Sequence, residues 1–96
     1  MNEGREIAKN EMKKLGKIKI LKSQIDVSEE LLKSYQDLTD KYSNALVKIP
    51  IKNSTILVNR YIDGMNFKQL QKTYNMSRSG IISLLEKSLT MLLENI

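Results

Sequence analysis

The stretch Asn66–Leu89, NFKQLQKTYNMSRSGIISLLEKSL, decides how this chain is read. Asn66 is a good helix cap, and Gln69 three residues on completes a capping box. Phe67, Leu70 and Tyr74 recur at spacings of 3 and 4, which places them on one helix face. Ser77 is the next cap. From there Ile81, Ile82, Leu84, Leu85, Leu89, Leu92, Leu93 and Ile96 carry a longer, Leu-rich helix to about residue 94. A short helix, a tight turn and a longer helix make a helix-turn-helix pattern. Phe67, Leu70, Tyr74, Met76, Ile81 and Leu84 are the expected core that fixes the angle between the two helices. Such a unit offers the start of its second helix to the DNA major groove while the first helix crosses the backbone.

Working upstream, Gly64 ends a helix that contains Ile56, Leu57, Val58, Tyr61 and Ile62, because Gly readily takes the left-handed conformation past a helix end. Asn53 or Ser54 is the expected cap of that helix. Pro50 disfavours helical geometry in the residue before it, so the preceding helix ends near Lys48 or Ile49. That helix begins with Asp26 as cap and Glu29 as its capping-box partner. Its positions Leu31, Tyr35, Leu38, Tyr42, Ala45 and Ile49 are spaced 4, 3, 4, 3, 4, a heptad seam that Leu32, Thr39 and Leu46 widen. A first helix over about residues 4–23 carries Ile7, Ala8, Met12, Leu15, Ile18 and Ile25 as a rough stripe, with Gly16 as a candidate kink or early end. The expected fold is all-α: an N-terminal helical hairpin or coiled coil over 1–50, followed by a three-helix unit over 51–96 that contains the helix-turn-helix. The seam serves equally as intramolecular core or as an interface with a second copy.

Composition narrows the chemistry. The 96 residues suit one compact unit and have neither Cys nor His. That excludes disulfides, thiolate zinc sites and Ser-His or Cys-His catalysis. No carboxylate cluster has a calcium-loop spacing, and no phosphate-cradling Gly loop is present, so neither metal, cofactor nor enzyme activity is expected. No apolar run approaches the roughly 18 residues of a membrane span, and the polar start MNEGREIAKNEMKK lacks a secretory core, so a cytoplasmic protein is expected. The net charge is +5, split as +4 over 1–22, −2 over 23–48, +1 over 49–65 and +2 over 66–96. Basic ends favour polyanionic partners. Lys13, Lys14, Lys17, Lys19 and Lys22 spread around more than one helix face, which reads as solubility more than as a compact patch.

The longer segment RYIDGMNFKQLQKTYNMSRSGIISLLEKSL resembles region 4 of bacterial RNA polymerase sigma factors, and more closely the small sigma-region-4-like transcription regulators of phages, the RinA and ArpU types. The resemblance rests on Arg60, Tyr61, Ile62, Gly64, Phe67, Leu70, Met76, Ser77 and Arg78, with Ile81, Leu84 and Leu89 on inward positions, and covers about residues 56–90. It implies a phage-encoded transcriptional regulator in a bacterial host cytoplasm that binds double-stranded DNA with helix 78–94 as its recognition helix.

The candidate DNA-contacting residues are Lys68, Lys72, Ser77, Arg78, Ser79, Ile82, Ser83 and Lys87. Arg78 suits a guanine edge or a phosphate, and Ile82 a thymine methyl. Gly80, Ile82 and Leu85 stand near places where the resembled family carries polar or basic side chains. The apolar excess of the last helix calls for cover, either by a homodimer or by the N-terminal hairpin. Leu31, Tyr35, Leu38, Tyr42, Leu85, Leu89, Leu92 and Leu93 are the candidate dimer or partner interface. The competing reading is a sigma-like protein-interaction module that binds RNA polymerase, or inhibits a host or phage protein, without sequence-specific DNA binding. A purely structural helical assembly protein is a third.

Overall fold

A computed structural model of the chain describes residues 2–21 and 29–96, and in them the side chains other than those of 2, 18–21, 29–32, 34 and 35. The described chain is all-helical: α1 (Asn2–Leu21), α2 (Glu29–Leu46), α3 (Ile51–Leu57, continued by a π-helical turn, Val58–Ile62), α4 (Phe67–Tyr74) and α5 (Arg78–Glu94). The proposed Asp26 cap lies outside the described residues.

One core joins the two halves of the chain. Ala8 and Met12 of α1, with Tyr42, Ala45 and Ile49 of the α2 seam and its following turn, pack with Ile56, Leu57, Tyr61, Leu70, Ile81, Leu85, Leu89 and Leu92. The α2 seam therefore faces this chain's own core along its C-terminal half, with Leu38 and Leu46 half-buried beside it. Thr39, expected to widen that stripe, is exposed, and so is Ile7 of α1. The side chains of Leu31, Leu32, Tyr35, Ile18 and Ile25 lie outside the described residues. The ammonium of Lys41 in α2 sits 3.8 Å from the Glu11 carboxylate of α1.

Gly16 corrects a sequence expectation. It does not end α1, which continues to Leu21. Its bare Cα faces the carbonyl of Ile62, and a Cβ built there would lie 2.5 Å from that oxygen. The glycine lets α1 approach the end of the π turn at backbone distance.

The start of α3 is a second correction. Asn53 and Ser54 lie inside the helix, not at its cap; the helix begins at Ile51, with Pro50 before it at φ −54° and ψ 142°. The N–H groups of Asn53 and Ser54 donate to the Pro50 carbonyl at 3.0 and 3.1 Å. Proline's fixed φ suits this entry position, and for these two N–H groups its carbonyl stands in for a side-chain cap. Asn53 is instead buried, and its amide donates to the Ser88 hydroxyl of α5 at 2.9 Å. Ser88 in turn donates to the Leu84 carbonyl at 2.7 Å. This pair satisfies the buried polar groups between α3 and α5 that would otherwise cost stability.

Candidate nucleic-acid interface

The α4–turn–α5 unit forms as its local chemistry dictates. Asn66 is extended, its side-chain oxygen accepts from the Gln69 N–H at 2.8 Å, and the Gln69 side chain accepts from the Asn66 N–H at 2.9 Å. Two free N–H groups of α4 are thereby satisfied reciprocally. At its far end Asn75 takes the left-handed conformation, φ 52° and ψ 51°, a conformation asparagine tolerates better than most residues. Ser77 then accepts from the Gly80 N–H at 3.2 Å and starts α5.

Leu70 and Ile81 are fully buried between the two helices, and Phe67, Tyr74, Met76 and Leu84 pack half-buried around them. The Asn59 amide donates to the Tyr74 hydroxyl at 2.6 Å, tying the π turn to the end of α4. Gly80 is pressed against the turn: a Cβ there would meet the Met76 methyl at 3.1 Å and the Ser77 hydroxyl at 3.3 Å. It is a packing position rather than an open reading position.

Lys68, Lys72, Ser77, Arg78, Ser79, Ile82, Ser83 and Lys87 are all exposed. Lys68 and Lys72 stand one turn apart on the outer side of α4. Ser79, Ser83 and Lys87 follow one another at four-residue intervals along the open side of α5. Ile82 is 38% exposed and borders a small recess of about 80 Å³ shared with Lys9, Tyr61, Phe67, Leu85, Glu86 and Leu89. Glu86, an acidic residue on the same outward strip, also faces Arg5, Glu6 and Lys9 of α1 across a second recess. Its position was legible from the three-residue step beyond Ser83. Helix α1 thus forms one wall of the α5 face and brings Lys9 to its edge.

Leu85 is 4% exposed, which removes it from the outward face where the sequence placed a departure from the resembled family. The same burial revises the candidate dimer or partner interface. Tyr42, Leu85, Leu89 and Leu92 are buried in the chain's own core, and Leu38 and Leu93 are half-buried against it. The apolar excess of α5 is covered in part by α1, where Leu93 packs 3.4 Å from where a Gly4 Cβ would stand, while Ile82 stays exposed. Of the proposed interface, Leu31 and Tyr35 fall outside the described side chains.

Sequence reasoning missed the arrangement around Phe67. The Arg60 guanidinium lies 4.5 Å from the centroid of its ring, and the Arg78 guanidinium 4.7 Å from the same centroid. Arg60 also donates to the Met65 carbonyl at 2.9 Å. No local spacing rule links Arg60 to Phe67, because the Gly64 turn separates them (φ +75°).

Among the described residues no group of His, Cys, Asp or Glu is placed to hold a metal ion, and no helix is long and apolar enough to cross a membrane. Comparison with protein-family profiles, curated proteins and solved structures finds no match to this chain.

Proposed function

We propose that the chain binds double-stranded DNA as a transcriptional regulator, with α5 as its recognition helix, in the manner of the sigma-region-4-like phage regulators that its sequence resembles. The observation that carries this reading is the doubly capped α4–turn–α5 unit, whose outward strip of Ser79, Ile82, Ser83 and Lys87 stays clear of the core. Lys68 and Lys72, one turn apart on α4, suit phosphate contacts along the strand that this helix crosses. Two serines and an isoleucine give little base discrimination, so contacts to the DNA backbone carry most of the affinity. Titration of a duplex panel at several salt concentrations tests it. Binding is expected to weaken steeply with salt, and Lys68→Gln with Lys72→Gln to flatten that dependence. Absence of binding to any duplex at low salt would sink the proposal.

One observation favours the second reading, a protein-interaction module that engages RNA polymerase or another protein. Val47 and Ile51 are 82% and 83% exposed, and with Leu46, Ile49, Thr55 and Val58 they line an apolar groove of about 460 Å³ at the α2–α3 corner, with no α5 residue in its lining. A pull-down that retains a protein partner through this corner, without any DNA shift, selects that reading.

A further inference from the structure

We infer that Arg60, Phe67 and Arg78 form a phosphodiester clamp, so that Arg78 grips the DNA backbone and does not read a base. This rests on the DNA-binding reading and assigns a new residue, Arg60, to the contact surface.

The two guanidinium groups come from different elements, the π turn and the start of α5, and lie 4.5 and 4.7 Å from the centroid of one aromatic ring. Their distances to the ring centroid place them no more than about 9 Å apart. No carboxylate pairs with either among the described residues. Two like charges within this distance and without a paired carboxylate repel, and an anion beside them relieves that repulsion. The ring fixes both cations through its quadrupole. Arg60 is further held by the Met65 carbonyl. Guanidinium donors pre-set in this way lose less freedom on binding a phosphate than free side chains do.

The ring contact also decides what Arg78 reaches. A side chain lying over Phe67 is tethered beside the ring that Arg60 also touches, at the rim of the recess that Phe67 shares with Ile82. Its donors stand at the start of α5, where the capped helix N-terminus also favours an anion.

The experiment measures binding of the full chain to a panel of 20-base-pair duplexes of unrelated sequence, by fluorescence anisotropy at about 50 to 200 mM salt. The variants are Arg60→Gln, Arg78→Gln, both together, and Phe67→Leu. Each lost phosphate contact lowers the salt exponent by about 0.9, so over this range the affinity of each single variant falls about threefold less than that of wild type, and of the double variant about twelvefold less. These losses are expected to be equal on every duplex. Phe67→Leu keeps both charges but unseats them, and is expected to weaken binding on all duplexes with an unaltered circular dichroism spectrum. Arg78→Gln lies at an exposed helix start, so it tests the clamp even if Arg60→Gln disturbs the turn. A loss at Arg78 confined to some duplex sequences would make it a base reader and overturn the clamp. So would unchanged salt exponents in variants of a protein whose wild type binds DNA, which leaves the DNA-binding reading standing. A wild type that binds no duplex overturns both.

Discussion

At Gly16 two physical effects of opposite sign meet. Replacing a mid-helix glycine by alanine ordinarily gains about 1 kcal/mol of helix stability. Here the new methyl would stand 2.5 Å from a backbone oxygen of the π turn, which cannot rotate away as a side chain does. Overpacking of this kind costs about 1–3 kcal/mol. Gly16→Ala is therefore expected to lower stability, by up to about 2 kcal/mol net, in urea denaturation followed by circular dichroism; a stabilised variant would show that α1 stands off the turn. Tyr42 sets a second residue-scale expectation. Burial first, then the charge of Glu11 and a hydrogen bond to it, push its hydroxyl from 10.0 up to about 12. The phenol is neutral in the folded state over a pH range where the unfolded chain ionises. Its contribution is thus fully present below pH 10 and is lost as pH rises from 10 to about 12. A shift of this size corresponds to about 3 kcal/mol. Burial also raises the Tyr61 hydroxyl and adds to the same alkaline loss. Denaturation measured on either side of pH 10 is expected to show the decline, and Tyr42→Phe to reduce it.

Among the elements, α4 and α5 were the most legible from sequence because their signals are local. Asn66, Gln69 and Ser77 act on backbone groups three residues away, and each makes the bond its position implies. Asn66→Ala and Ser77→Ala are each expected to cost about 1 kcal/mol in thermal or urea unfolding, and a null effect of both would mean that the caps are spare. The start of α3 was misread for the opposite reason. Asn53 looks like a cap until its partner is known, and Ser88 lies 35 residues further along the chain. The contact of Gly16 with Ile62 and the stacking of Arg60 on Phe67 were invisible on the same ground. Their partners are fixed by how the helices dock, not by helical periodicity. The candidate contact residues of α4 and α5 all lie at the surface as read, whereas the expected interface divided, with Tyr42, Leu85, Leu89 and Leu92 turned inward.

For the molecule as a whole, the boundary drawn near residue 50 in the sequence does not separate two cores. Ala8, Met12, Tyr42 and Ala45 pack into the same cluster as Leu85, Leu89 and Leu92. The helix-turn-helix is braced from the N-terminal side, and α1 runs beside the face that the proposed function assigns to DNA. A fragment of residues 51–96 would uncover that cluster and sits close to the size, about 40 residues, below which chains rarely fold unaided. It is expected to melt without a cooperative transition, while the full chain shows one; a sharply melting fragment would restore the two-part division.

The π turn of Val58–Ile62 has a bearing on how this gene tolerates length change. The Asp63 N–H donates to the Val58 carbonyl at 2.9 Å, five residues back, so the turn holds one residue more than an α-helical turn does. Loss of a single codon between 58 and 62 would leave a continuous α-helix, with no broken backbone to betray it. Yet the segments on either side of the deletion would no longer keep their present rise and phase relative to one another. Arg60, Tyr61 and the carbonyl that Gly16 faces are all phased by that one surplus residue. Most helices absorb substitutions and resist insertions; this one already carries its insertion, and the surfaces of the molecule are indexed to it.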